Sequence, residues 1–473
     1  MLTLADVIEA LTHTRPALAT HVITNAVVDS KQCIPGALFV AIPGERVDGH
    51  DYVGDAFNRG AKFAFVQREL PLDVPKLDLR KGVPLEKNLV INTPLLLRVD
   101  NSLAALQDVA QFWRRKLDLR VIAITGSVGK STTKEVVASV LSQKFSTLKN
   151  LGNLNNEIGL PLTILSLTED HRRAVLEMGL YVPGEIAFLC DLAQPQVGVI
   201  TNVGTVHAER AGSQEAIAQG KAELVQALPA DPEGVAILNY DDPWVRDMAK
   251  DTQAKVFFYG LDSKADLWAD QVEGLGLEGI RFRLHYGKET LFLKVPLIGR
   301  HSVHTVLRAV AVGLVEKMPW QEIINGLRTG HTQLRLVAVR AKNGALLLDD
   351  TYNASPQSVM AALNLLDELK GHKVAVLGDM LELGQYEQAG HQKIGLRVAE
   401  VADELITVGE LGRLIADAAR DTGFSDDQMT ILDNSDQAIA YLQDHLQADD
   451  IVLVKGSHSM QMDRIVATLE DRE

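Results

Sequence analysis

Short apolar runs recur along this chain, and the spacing between them changes character from one region to the next. From 121 to about 260 the runs VIAIT, AVLEMG, VGVITNVG, GVAILNYDD and KVFFYG alternate with stretches of helical period. Unbroken apolar runs separated by helices predict a parallel sheet covered on both faces. Gly126, Glu177, Asn202 and Asn239 each stand at or just past the C-terminal end of such a run. Open α/β sheets bind their ligands at that edge. Residues 266 to 298 read as added antiparallel strands, followed by a helix over about 301 to 315.

The alternation restarts after about 332 with ALLLDD, KVAVLGD, ELITVG and DIVLVKG. Polar loops again follow the strand ends, at Asp349 to Asn353, Gly378 to Glu382 and Lys455 to Ser457. Before residue 100 the runs are shorter and broken by Gly and Pro, which predicts a small α/β unit. Residues 71 to 88 read as a surface loop, and 102 to 117 as a helix with Ser102 as its N-cap. The fold class that follows is α/β in three domains. A small α/β domain covers 1–100, a central parallel-sheet domain 101–331, which its GSVGKS stretch makes P-loop-type and ATPase-like, and a Rossmann-like α/β domain 332–473. The functional strand ends of the last two place a site in the cleft between them.

Composition narrows the function classes. The chain has 473 residues, too many for one ordinary core. Its 47 basic and 62 acidic residues give a formal charge of −15, which argues against general nucleic-acid binding. Anionic substrates therefore need local basic sites. The start MLTLADVIEALTHTRP lacks a basic segment before an apolar core, against a signal peptide, and no apolar run reaches membrane-span length. Cys33 and Cys190 lie far apart and read as buried thiols in a reducing compartment. A cytoplasmic protein is expected.

The stretch AITGSVGKSTTKE, 123 to 135, carries the first chemistry. A strand runs into Gly126-Ser127-Val128-Gly129-Lys130-Ser131, and a helix starts near Thr132. Glycines let backbone amides approach phosphate oxygens, and the helix N-terminus adds partial positive charge. Lys130 can reach the β- and γ-phosphates, and Ser131 offers Mg²⁺ a hydroxyl. The usual nucleotide loop has a glycine five positions before its Gly-Lys pair. Here that position is Ile124.

The short G-x-x-G-K-[ST]-[ST] loop resembles that of the Mur ligases, ATP-dependent enzymes that join an amino acid or peptide to a nucleotide-linked muropeptide. Further matches follow in family order over most of the chain. VVDSKQCIPGALFVAIPGERVDGHDY resembles the uridine-nucleotide domain, NLNNEIGLPLTIL the segment after the ATP loop, EMG and TNVGTVHAERAGS the magnesium region, and GKAEL the segment with a special lysine. DDTYNASP, LGDMLELG and VKGSHS resemble the branch that adds D-alanyl-D-alanine to UDP-N-acetylmuramoyl-tripeptide. The Asp-Asn-Pro-Arg box of the tripeptide-forming branch is absent.

The resemblance implies site roles residue by residue. ATP falls to Gly126 through Thr132, with Asp350, Tyr352 and Asn353. Mg²⁺ falls to Ser131, Glu177, His207 and Lys221, the last as a carbamate formed with CO₂. Lys130, His207, Lys221 and Arg335 are the implied catalytic set, Arg335 approaching the γ-phosphate from the C-terminal domain. Ser30, Gly44, Arg46, Asp48, Gly49, Asn155, Lys455 and Ser457 are the implied substrate contacts. A monomer with no nucleic-acid partner is expected.

The pattern departs from the family in the helix GRHSVHTVLRA, where Ser302 and Thr305 stand at positions usually held by asparagines, one of which reads adenine. One lost hydrogen bond costs about 0.5 to 1.5 kcal/mol, roughly tenfold in affinity at most, too little to overturn ATP use. Ser131 replaces the commoner threonine, and Leu334 the glycine before the arginine. The alternatives are another ligase of the same fold, such as a tripeptide-forming or folylpolyglutamate-like enzyme, and a P-loop switch protein. The switch lacks support, because no guanine-reading Asn-Lys-x-Asp motif occurs. The third residue of the muropeptide, meso-diaminopimelate or lysine, stays open.

Overall fold

The computed structural model describes residues 1–44, 46–85, 91–329 and 337–471. Among the described residues, twenty strands form three sheets. The N-terminal sheet runs Ala26–Val27, Leu38–Val40, Phe63–Val66, Leu95–Arg98, Lys76–Asp78, all parallel. The central sheet has nine strands, in the order Glu289–Val295, Ile280–Tyr286, Leu267–Gly274, Lys255–Gly260, Val235–Asn239, Val197–Ile200, Arg120–Thr125, Arg173–Glu177, Thr147–Lys149. The pairs from 267 to 295 are antiparallel, as the sequence predicts. The C-terminal sheet runs Val337–Arg340, Leu346–Asp349, Asp450–Lys455, His372–Gly378, Glu404–Val408, Met429–Leu432. It is parallel except at the Val337–Arg340 edge. Three α/β domains were expected, and the chain carries three sheets with helices, one within each expected range.

By compactness the chain divides into two units. One comprises Met1–Ala123, Phe145–Gly179 and Glu185–Val197, the other Ile124–Lys144, Leu180–Gly184 and Gly198–Glu473. The C-terminal sheet shows why its runs look continuously apolar. Leu348, Ala375, Leu377, Leu405 and Leu453 face a core with the helices Pro356–Glu368, Glu387–Val401 and Gly412–Asp421. Their neighbours Leu347, Val374, Val376, Ile406, Val408, Val452 and Val454 face the helices Ser435–His445 and Asp463–Leu469. Side chains alternate across a strand, so a sheet buried on both faces leaves few polar positions, the buried ones here being Thr407 within a strand and Asp450 and Lys455 at strand ends.

Three local readings are corrected. The helix Ser102–Lys116 is capped by Asn101, whose side chain accepts from the Ala104 amide, while Ser102 is its first, buried residue. Asparagine caps as well as serine does, and here the extended backbone that a cap needs falls one residue earlier. The expected loop over 71 to 88 contains the edge strand Lys76–Asp78, whose Leu77 is buried. The C-terminal sheet also has two strands that the pattern did not single out, Val337–Arg340 and Met429–Leu432, both short and partly exposed. Cys33 and Cys190 are buried free thiols, as expected. No helix among the described residues is long and apolar enough to cross a membrane.

Candidate functional site

In the larger unit the strand ending at Thr125 opens into the phosphate loop. Gly126 takes φ +144°, and a Cβ there would sit 1.8 Å from Thr201 Oγ1, so only glycine fits. Gly129, at φ +83°, is the N-cap of the helix Lys130–Leu141. The loop is held from the neighbouring strand end. Asn202 Oδ1 accepts from Val128 N at 2.9 Å, Thr201 Oγ1 donates to Val128 O at 2.8 Å, and Ser127 N donates to Asn202 O at 3.0 Å. Gly204 N donates to Ser127 Oγ at 2.8 Å. The backbone shape that a phosphate needs is therefore set by side chains about 75 residues away in sequence.

A cavity of about 170 Å³ opens on this loop. Ser127, Val128, Gly129, Ser131 and Thr132 line one end. Leu297, Ile298, Ser302 and Thr305 form one wall, and Asp350, Asn353 through Ser355 and Lys455 another. The predicted nucleotide residues Asp350 and Asn353 thus meet the phosphate loop across one cavity, whereas Tyr352 is exposed and outside its lining. Ser302 Oγ donates to Ile298 O at 2.7 Å, and Thr305 Oγ1 accepts from Arg308 Nη2 at 2.8 Å. Both residues that depart from the family pattern therefore stand in the wall.

Lys455 is almost fully buried. Its Nζ lies 2.6 Å from Asp350 Oδ2 and donates to Asn353 O at 2.8 Å and Asp350 O at 3.2 Å. The residue expected at the peptide substrate thus clamps the 350–353 loop. Ser457 acts alongside it, accepting from Leu381 N at 2.8 Å and donating its own amide to Asp379 O at 2.9 Å. Replacing Lys455 by methionine is expected to destabilise the protein by about 1 to 3 kcal/mol, because it removes the buried cation that pairs the half-buried Asp350 carboxylate. A lowered urea midpoint would read this, and an unchanged midpoint would show that Asp350 finds solvent.

Lys221 lies on the helix Gln214–Gln226 and is buried. Burial pushes its ammonium well below the ordinary lysine range, and the charge of Lys130 adds to the effect. His207, at φ +65°, has its Nδ1 2.6 Å from Glu382 Oε2. Burial lowers the His207 pKa, while Glu382 pulls the other way. Glu382 also has a left-handed backbone, at φ +64°. Two non-glycine residues in that region, meeting side chain to side chain, mark a held geometry. Nothing in the sequence pattern singled out Glu382 within its polar loop, because nothing local says which of the loop's carboxylates turns toward His207.

The smaller unit holds the remaining expected residues. Glu177 is buried at its strand end, and its Oε1 accepts from Asn155 Nδ2 at 3.0 Å. Asn150, fully buried and missed by sequence reasoning, grips the Glu177 backbone from both sides: Glu177 N donates to Asn150 Oδ1 at 2.9 Å and Asn150 Nδ2 donates to Glu177 O at 3.1 Å. The only local signal was its place in the polar run KNLGNLNN after a short strand. Ser30 Oγ donates to Asp55 Oδ2 at 2.6 Å. Gly44 and Arg46 lie in the turn closed by the bridge between Pro43 and Asp48, with Arg46 exposed. Gly49 packs so tightly on Ile42 that a Cβ would lie 2.8 Å from its amide nitrogen. Asp48 accepts from the backbone and ring of His50, which hold its carboxyl down at about 2. His50 Nε2 accepts from Gln67 N at 2.9 Å, so its proton sits on Nδ1, facing Asp48.

Arg335 and its neighbour Leu334 lie outside the described residues. Among the described residues, no three His, Cys, Asp or Glu side chains gather as a ready-made metal cage. Of the four expected magnesium ligands, only Glu177 and His207 belong to those types.

Three family models match consecutive parts of the chain: the Mur ligase family catalytic domain over 22–114, the Mur ligase middle domain over 124–313, and the Mur ligase glutamate ligase domain over 334–458. UDP-N-acetylmuramoyl-tripeptide–D-alanyl-D-alanine ligase of Bacillus subtilis is 34% identical over 458 residues, covering 96% of this chain and 94% of that protein. A crystal structure of MurF from Acinetobacter baumannii superposes with a TM-score of 0.83 at 29% identity, over 98% of each chain. The MurF ligase of Thermotoga maritima in complex with ADP gives 0.77 at 26%, over 94% of this chain and 96% of that one.

Proposed function

The chain belongs to the Mur ligase family, and from that premise we propose that it joins D-alanyl-D-alanine to UDP-N-acetylmuramoyl-tripeptide, converting ATP to ADP and phosphate, in cytoplasmic peptidoglycan precursor synthesis. The observation that carries this reading is the single cavity lined by both the short phosphate loop and the loop of the DDTYNASP motif. The loop shared by the whole family and a motif of the branch thus converge on one cavity. Curated relatives with this activity match nearly the whole chain. The three-domain boundaries at 100/101 and 331/332 belong to the same reading.

The chemistry joins two anions. An oxygen of the muropeptide carboxylate bonds to the γ-phosphorus as the bond to ADP breaks, giving an acyl phosphate. The amine of D-alanyl-D-alanine then attacks the acyl carbon, loses a proton, and phosphate leaves. Lys130, at the start of the loop helix, offsets charge on the transferring phosphoryl group. Asp350 and Asn353 contact the nucleotide from the opposite wall. Arg335 adds a second cation, and Ser30, Gly44, Arg46, Asp48 and Gly49 hold the uridine diphosphate. Asn155 and Ser457 keep the substrate contacts that the resemblance gives them, Tyr352 its nucleotide contact from outside the cavity lining, and Lys455 acts through the 350–353 loop that it clamps.

Ser131, His207 and Lys221 offer Mg²⁺ a hydroxyl, an imidazole and, once carbamylated, an anionic oxygen; the resemblance assigns Glu177 to the metal as well. Magnesium, when bound, neutralises charge on the phosphates. A buried lysine beside another cation suits a carbamate, because its neutral amine can add to CO₂ with loss of a proton, turning a repulsive ammonium into an oxygen ligand.

The test is ADP release by the purified protein with ATP, Mg²⁺ and UDP-N-acetylmuramoyl-tripeptide, with and without D-alanyl-D-alanine. Release that depends on the dipeptide, with a pentapeptide product by mass, is expected. Release indifferent to both substrates would return the chain to the other ligases of this fold.

A further inference from the structure

Arg308 lies on the helix Ser302–Val315, which packs against the phosphate-loop helix Lys130–Leu141. It is buried at 4% exposure, yet among the described residues no carboxylate lies within ion-pair distance of it. Its Nη1 donates to Tyr259 Oη at 3.2 Å, its Nη2 donates to Thr305 Oγ1 at 2.8 Å, and its Nε has no partner. The acidic residues near its partner Tyr259 are committed elsewhere: Asp241 to His304 and the amides of Leu261 and Asp262, Asp242 to Val203 N and a helix cap. A buried charge is ordinarily paired, because its desolvation is otherwise uncompensated.

The location suggests what the charge is for. A Cβ on Gly129 would lie 3.4 Å from Arg308 Nη2, so the guanidinium lies directly behind the phosphate loop. It faces the N-terminus of the helix Lys130–Leu141, where the helix dipole already concentrates positive charge. That placement is unfavourable twice over and is offset only in part by the Tyr259 ring, whose centre lies 5.7 Å from the guanidinium. Arg308 is also wired to the loop: the Tyr259 hydroxyl is shared between Ile200 O at 3.1 Å and Thr201 O at 3.2 Å, and the Thr201 hydroxyl holds Val128 O. Thr305, its other partner, lines the cavity, although Arg308 itself does not.

We propose that Arg308 is a positioning residue for the polyphosphate. It braces the underside of the phosphate loop and lends it a buried positive charge, which the phosphates of a bound nucleoside triphosphate neutralise. This rests on the nucleotide reading of the cavity. Because the guanidinium acts through the loop, its effect scales with the charge placed on the loop, not with contacts to the base.

The test measures affinity for ATP, ADP and AMP by calorimetry, with thermal melting of the ligand-free protein, for the unaltered chain, Arg308→Met and Arg308→Lys. Arg308→Met is expected to lose roughly tenfold in ATP affinity, about threefold for ADP and little for AMP, as a charge interaction behind the loop requires. Its ligand-free melting temperature is expected to rise, since an unpaired charge gives way to an apolar chain of similar length. Arg308→Lys is expected to stay within about threefold for all three nucleotides. Arg308→Gln, which keeps donors for Tyr259 and Thr305, is read on the same three nucleotides in case the methionine variant does not fold. Equal losses for ATP, ADP and AMP, or none, would overturn the role of Arg308 while leaving the nucleotide site intact. Failure of the unaltered chain to bind ATP would instead overturn the nucleotide reading itself.

Discussion

Lys130→Ala is expected to lower turnover by on the order of 10² to 10³ or more, the usual effect of removing one transition-state charge stabiliser. Lys130 opens the loop helix, and its Nζ lies 3.3 Å from Ser127 O, at the loop itself. A carboxylate attacking a polyphosphate must overcome repulsion between two anions. At roughly 4 Å and an effective dielectric near 20, one cation offsets about 4 kcal/mol of that repulsion, which matches the upper end of the expected loss. The rate is to be measured at saturating ATP, so that weakened ground-state binding does not account for it. A near-normal rate in a folded variant would remove Lys130 from the mechanism.

Lys221→Ala is expected to abolish measurable turnover, roughly a 10²-fold loss or more for removal of an anionic metal ligand. Partial recovery on adding short-chain carboxylic acids is expected with it. The truncated side chain leaves a buried space where the carbamate oxygens would have been, and a small carboxylate can return the charge. Burial at 3% exposure and the neighbouring Lys130 make an ammonium at this place costly, which favours the neutral amine that reacts with CO₂. Full activity of Lys221→Ala without additives would exclude the carbamate. Loss without rescue would leave Lys221 a structural role.

Much of the site was legible because its signals are local. The phosphate loop needs glycines at left-handed backbone positions, a lysine and a hydroxyl in one short stretch, and all appear consecutively from Gly126 to Ser131. The strand ends that carry Glu177, Asn202 and Asp350 were legible from apolar runs that stop at a polar residue. Lys455 was legible only as a lysine near a strand end. Its clamp on Asp350 and Asn353 needs two parallel strands, Leu346–Asp349 and Asp450–Lys455, to lie side by side, a pairing across about a hundred residues. Asn150, Glu382 and Arg308 gave weaker signals still, since each acts on a partner brought close by packing.

What the sequence by itself determined is the α/β class, the three sheets, the phosphate loop and the family. These rest on periodicity and on motifs whose residues are neighbours along the chain, so they survive without knowledge of the fold. The tertiary structure decided that Asp350 and Asn353 share a cavity with the phosphate loop, that Lys455 holds the shape of the 350–353 loop, and that a guanidinium lies near Gly129 without a carboxylate partner. Those facts depend on burial and on side-chain distances between remote segments. A linear pattern does not encode them, because the desolvation that makes a charge costly or useful exists only once the chain has closed around it.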